Sequence, residues 1–137
     1  MKRVYVNEDV CIGCRLCEAY CRLKHAHYTD IVKAHKKEFP HPVSRVRVDE
    51  NGAVSLSVRC QHCVDAACIR ACLTGALSRN TLTGTIEVDE ERCIGCGTCS
   101  LICPLGVPQV DDAIKKMVKC DLCQDEEVPV CVANCPH

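Results

Sequence analysis

The stretch CIGCGTCSLICP, residues 93–104, sets four thiols and a proline within twelve positions. The same crowding occurs three more times. The sixteen cysteines form four groups: Cys11, Cys14, Cys17, Cys21; Cys60, Cys63, Cys68, Cys72; Cys93, Cys96, Cys99, Cys103; and Cys120, Cys123, Cys131, Cys135. None is left over. Thiols in such numbers do one of three things: they cross-link as disulfides, grip zinc, or hold iron and sulfide.

Composition narrows the choice. Cysteine is about 12% of the 137 residues, above the roughly 8–10% at which a short chain is suspected of being cross-linked or metal-bound. There is one Phe, no Trp and three Tyr, and without the cysteines only about a third of the chain is aliphatic or aromatic. A chain of this length forms one compact domain or two small lobes, and something besides apolar packing must hold it. The start, MKRVYVNEDVC, carries no apolar leader core, and no apolar run approaches the roughly 20 residues of a membrane helix. A cytoplasmic location is therefore expected, where eight disulfides would rarely persist. A net charge of −1 points to neither nucleic acid nor an anionic membrane as partner.

Spacing separates zinc from iron. Structural zinc usually draws two thiolates from each of two separated C-x2-C knuckles. The first and third groups, CIGCRLCEAYC and CIGCGTCSLIC, instead read C-x2-C-x2-C-x3-C. Three thiolates at three-residue steps wrap one face of an iron–sulfur cube. The fourth then lies on the following helix and serves a neighbouring cube, the ligation of bacterial two-cluster ferredoxins, whose runs end in Cys-Pro. Cys103-Pro104 and Cys135-Pro136 have that ending. The second and fourth groups, C-x2-C-x4-C-x3-C and C-x2-C-x7-C-x3-C, are less specific alone. Both keep the terminal C-x3-C, and each supplies a partner that the crossing-over requires.

Intervals of 38, 20 and 16 residues separate the groups. In the 20-residue interval, Ile86 and Val88 alternate as a strand and NTLTG reads as a turn, the pattern of a ferredoxin's middle. The second group is therefore paired with the third, and the first with the fourth. The expected sites are Cys11, Cys14, Cys17 with Cys135; Cys120, Cys123, Cys131 with Cys21; Cys60, Cys63, Cys68 with Cys103; and Cys93, Cys96, Cys99 with Cys72. Pairing first with second and third with fourth is the alternative. The 38-residue interval reads as an insertion: a polar helical stretch, RLKHAHYTDIVKAHKKEF, then a hairpin, VSRVRVDENGAVSLSVRC, about Asn51-Gly52. RVYV, residues 3–6, reads as an edge strand whose usual partner, a strand after the last Cys-Pro, is not in the sequence. The fold expected is α+β: two ferredoxin-like two-cluster lobes, with small β-hairpins and short helices packed around four 4Fe-4S clusters. The outer lobe takes 1–35 plus 104–137, the inner lobe 55–103, and the hairpin insertion 36–59.

CQHCVDAACIRAC followed by TGAL, and KCDLCQDEEVPVCVANCP, resemble the four-cluster, ferredoxin-like electron-transfer subunits that accompany molybdenum- or tungsten-pterin oxidoreductases, hydrogenases and carbon monoxide dehydrogenases. The resemblance runs from Cys11 to Pro136. It departs at Arg22 and Leu73, where proline often follows the fourth cysteine, and at Ala67, where the second motif often has proline. It implies the same pairing of groups, and a line of clusters joining a catalytic subunit to a redox acceptor. With every expected ligand a thiolate, no iron is open to substrate, so the chain is expected to be no enzyme by itself. The alternatives are a free polyferredoxin, a zinc-stapled interaction module, and an oligomer or filament. Among other residues, His62 reads first as a packing or solvent-facing histidine, with a hydrogen bond to a cluster as the second reading. Lys119 reads equally as a surface lysine or a group that shifts a potential. His25, His27 and His35 read as solvated, as do the acidic runs EVDEER and QDEE.

Overall fold

The computed structural model describes residues 2–137; Met1, the first residue of the expected outer lobe, lies outside them. The secondary structure is short throughout. Five helices, α1 (Leu16–Lys24), α2 (Ile31–Lys37), α3 (Ala67–Arg70), α4 (Thr98–Ile102) and α5 (Val130–Ala133), alternate with three antiparallel hairpins. The hairpins are β1 (Val46–Asn51) with β2 (Val54–Arg59), β3 (Leu77–Arg79) with β4 (Ile86–Val88), and β5 (Gln109–Asp111) with β6 (Lys116–Val118). This agrees with an α+β chain of small hairpins and short helices.

The loops before α1 and α4 share one backbone. Gly13 and Arg15 have φ of 66° and 59°; Gly95 and Gly97 have 68° and 78°. Left-handed residues two apart turn successive N–H groups toward one concavity, an anion-binding arrangement, and release the chain into the helix carrying the third cysteine. The glycines differ in what surrounds them. A Cβ at Gly95 would collide with the Lys115 carbonyl, whereas one at Gly97 would meet nothing within 4 Å. Gly97→Ala is expected to cost about 1–2 kcal/mol, the left-handed penalty alone. Gly95→Ala adds an overpacking cost of about 1–3 kcal/mol. Thermal unfolding of the two variants checks this, and equal losses would contradict it.

The polar stretch after the first group makes two helices rather than one. α1 ends at Lys24 with His25 as its cap, and α2 begins afresh where Asp30 accepts the Lys33 N–H at 2.8 Å, an N-cap that satisfies an orphan donor. The following hairpin pairs Val46 with Arg59 through Asn51 with Val54, leaving Gly52 (φ 62°) and Ala53 as the loop. Val46 and Val48 are buried on one face. Glu18 of α1 accepts the Val48 N–H at 2.6 Å, and the Ser55 hydroxyl donates to the Cys11 carbonyl at 2.8 Å. The insertion therefore braces the first cysteine group. α1 also packs against α5, bringing the first and fourth groups together.

The largest apolar cluster joins Ala66, Ala76, Leu77, Ile86 and Met117 to Cys93 and Cys99. A smaller one joins Val58 and Val107 to Cys60. Cysteines are thus core residues, as the thin apolar composition required. The expected strand at 3–6 does not form. A strand needs a ladder partner, and a side-chain cation takes its place here: the Arg59 guanidinium donates to the Val4 carbonyl, while the segment's own Lys2 ammonium reaches out to the Glu126 carbonyl.

Candidate functional site

A helix carries the third cysteine of every group: Cys17 on α1, Cys68 on α3, Cys99 on α4 and Cys131 on α5. The fourth follows after four residues, one turn along the same face. Cys21 remains within α1, Cys103 is the residue ending α4, and Cys72 and Cys135 lie two residues past α3 and α5.

Each fourth cysteine stands among thiols of a different group. Cys11, Cys14 and Cys17 line a cavity of about 290 Å³ with Cys135 and Cys131. Cys21 lines a second, tight space with Cys120, Cys123 and Cys131. Burial pushes the Cys21 thiol up, Arg45 N–H donation to its Sγ at 3.2 Å works against this, and nearby Cys123 adds to it. Burial pushes Cys120 up to about 12, with Asp121, Cys21 and Cys131 adding to the effect. It takes Cys131 to about 11, with Cys21, Cys123 and Cys17 as contributing neighbours.

The other two groups behave alike. Burial raises Cys68, Cys60 and Cys103 raise it further, and the Lys119 ammonium opposes them. Burial pushes Cys99 up to about 11, with Cys68 and Cys72 beside it. The thiol of Cys96 is lowered by the Thr98 hydroxyl, 3.4 Å from its Sγ, and has Cys72 as a charged neighbour. Burial raises Cys72 too, but backbone N–H groups at Leu77, Thr74 and Ala76, with the Thr74 hydroxyl, outweigh it. Cys93 is buried and accepts the Met117 N–H at 3.4 Å. Cys14, Cys63, Cys96 and Cys135 are exposed, while no thiol of the set Cys21, Cys120, Cys123 and Cys131 is.

This donor set fits iron and sulfide. Thiols outnumber every other ligand type lining these spaces, where, among the described residues, only His25, Asp121 and His137 join them, and several are buried where a lone thiolate is disfavoured. Coordinated iron supplies the positive charge that lets such thiols lose their protons. Backbone N–H groups already aimed at Cys21, Cys93 and Cys120 would stabilise the sulfur charge of such bound thiolates.

Of the residues outside the thiol set, His27 and His35 are exposed as read, His62 takes the packing rather than the solvent-facing alternative, and Lys119 and His25 depart from their surface reading. His62 is 2% exposed and Lys119 is 5% exposed, so neither faces solvent. Burial, then the Lys119 charge, pushes the His62 imidazole down to about 4. His25 is half-buried, lines the space beside Cys21, and is lowered by burial first. His27 and His35 are exposed, the latter stacked on His41 at 5.0 Å. In QDEE, Asp125 and Glu126 are held by Lys24 at 2.5 and 2.6 Å. Thr74 and Thr98, missed in the sequence, sit in a Cys-x-Thr pattern that occurs after both Cys72 and Cys96 and would have revealed them.

The donor set and the short cysteine loops that carry it define a class: a small iron–sulfur carrier. A family model described as a 4Fe-4S dicluster domain matches residues 52–137. An Escherichia coli (strain K12) protein named as a candidate electron transport protein, YsaA, is 41% identical over 97% of this chain and 83% of its own. The polyferredoxin-like subunit of a Pyrococcus furiosus aliphatic sulfonate oxidoreductase is 39% identical, covering 96% of this chain and 70% of its own. The B subunit of the anaerobic dimethyl sulfoxide reductase of E. coli is 33% identical, over 96% of this chain and 68% of its own. The chain belongs to the 4Fe-4S dicluster family and is an iron–sulfur protein of electron-transport type. Among the described residues no helix is long and apolar enough to cross a membrane.

Proposed function

We propose that this chain is the electron-transfer subunit of an oxidoreductase complex, holding four 4Fe-4S clusters between a catalytic subunit and a redox acceptor. The observation that carries this reading is the meeting of each fourth cysteine with thiols of another group: Cys21 with Cys120, Cys123 and Cys131, Cys72 with Cys96 and Cys99, Cys103 with Cys68, and Cys135 with Cys11, Cys14 and Cys17. Exchange of this kind creates paired sites, and four groups make two pairs. The outer lobe is then 1–35 with 104–137 and the inner lobe 55–103, the hairpin of 36–59 bracing the former.

Bound clusters supply one-electron transfer at potentials that the protein sets through hydrogen bonds, charge and solvent access. The chain's part is to fix positions. A domain of this size has a radius of gyration of about 14 Å, so centres within it lie near one another. The set Cys11, Cys14, Cys17 and Cys135 has two exposed thiols and the set with Cys21 has none. The former is a terminus of the line and the latter an interior station. Oxidoreductase subunits among the relatives support a catalytic partner, of molybdenum- or tungsten-pterin, hydrogenase or carbon monoxide dehydrogenase type.

Purification of the tagged chain from its native host under anaerobic conditions tests the subunit role. The expected result is a larger subunit carrying its own cofactor at about one-to-one ratio, able to reduce the chain when given its substrate. A monodisperse monomer with no such companion overturns that role and favours a freely diffusing polyferredoxin.

A further inference from the structure

His62 lies in the turn between Cys60 and Cys63, in the left-handed region at φ 47°. Its Nδ1 accepts the Ile86 N–H at 2.8 Å. Ile86 is on the side of β4 away from β3, where its N–H has no ladder partner; Thr85 and Asp89 make the neighbouring bonds to Asn80 and Ala76. A ring nitrogen that accepts carries no proton, so in this imidazole the proton is on Nε2. That Nε2–H is buried and has no hydrogen-bond partner among the described residues.

An orphaned buried donor destabilises the fold that holds it. Capping the Ile86 N–H uses only Nδ1 and leaves the second ring nitrogen unaccounted for. The ring is fixed at one nitrogen by β4 and is carried by a turn whose two ends are Cys60 and Cys63. What fits the free nitrogen is an acceptor that the protein chain does not itself provide, held by the same turn.

We propose that His62 Nε2–H donates a hydrogen bond to sulfur of the cluster held by Cys60, Cys63, Cys68 and Cys103, making His62 the residue that raises this cluster's midpoint potential above what its thiolates alone would give. The inference rests on the cluster assignment above. One-electron reduction adds negative charge to the sulfurs, so a donated N–H stabilises the reduced form more than the oxidised form. His62 thereby ties the potential of one centre to the strand of another loop through the Ile86 peptide.

The test compares native protein with His62→Leu and His62→Gln by anaerobic potentiometric titration followed by electron paramagnetic resonance, with iron counted in each. In His62→Leu one of the four midpoints is expected to fall, by about tenfold in the reduction equilibrium or 59 mV for a one-electron couple. His62→Gln, which keeps an acceptor and an N–H donor, is expected to recover most of the shift. Four unmoved midpoints, or equal shifts in both variants, overturn the proposal. Absence of iron in the native protein overturns the cluster assignment instead. Should His62→Leu lose a cluster, pulsed resonance on reduced protein carrying His25→Gln and His137→Gln and labelled with ¹⁵N-histidine decides, the substitutions removing the other imidazoles that line a thiol space. A nitrogen coupling at one cluster is expected, and no coupling at any cluster overturns the proposal.

Discussion

Cys72→Ala is expected to remove the cluster of the third cysteine group while leaving that of its own group intact. Cys72 belongs by sequence to the second group, yet it neighbours the thiols of Cys96 and Cys99. The C-x3-C step explains this. Cys68 sits on α3, and Cys72 follows one helical turn on, past the helix end, where the chain bends toward β3. Backbone N–H groups at Leu77 and Ala76 then hold its sulfur beside the third group. Additivity decides the matter without spectroscopic assignment, because losses within one unit do not sum. Native protein is expected to hold about sixteen irons and Cys72→Ala about twelve, for four irons per cubane. Adding Cys96→Ala leaves about twelve, while adding Cys63→Ala lowers the count to about eight, again at four irons per cubane. The reverse pattern would mean that Cys72 serves its own group.

Lys119→Met carries the second largest expected effect. The Lys119 side chain is almost fully buried, and its ammonium donates to the Ile86 carbonyl and, at 3.0 Å, to the Cys120 carbonyl. Among the described residues it makes no ion pair with a carboxylate. A buried cation without a paired carboxylate is costly, and the thiol set is among the anionic groups it acts on: the Lys119 charge favours the thiolate of Cys68, as it does the Glu87 carboxylate. Removing a buried charged donor costs about 1.5–3 kcal/mol. The variant is therefore expected to lose iron in chelator at least ten times faster than native protein, with the Cys68 site emptying first. Lys119→Arg, which keeps the charge, should lie between them. Iron release measured under anaerobic conditions checks this, and native-like release from Lys119→Met would contradict it.

Much of the architecture could be read before any coordinates. The hairpin of residues 46–59 follows from alternating valines about Asn51-Gly52, and the hairpin of 77–88 from NTLTG beside Ile86 and Val88. The four cysteine groups and their helices follow from spacing. Other features left no such mark. β5 and β6 are three residues each and turn through Lys115 at φ 54°, without the glycine that normally announces a tight reversal. Residues 3–6 alternate like a strand but find an arginine side chain where a strand would need a neighbour. His62 and Lys119 look like ordinary polar residues in sequence. Their burial comes from long-range contact with Ile86, whose N–H and carbonyl they occupy from two different cysteine loops.

The sharing of thiols, on which the functional reading rests, presupposes that iron and sulfide fill the spaces between the four groups. Quantitation of iron, acid-labile sulfide and zinc in protein purified without oxygen tests this most directly. The account predicts about sixteen irons and about as many sulfides per chain, with a brown colour and paramagnetic resonance after reduction. A colourless chain holding zinc, or iron at half that amount with eight thiols free to alkylation, would contradict it.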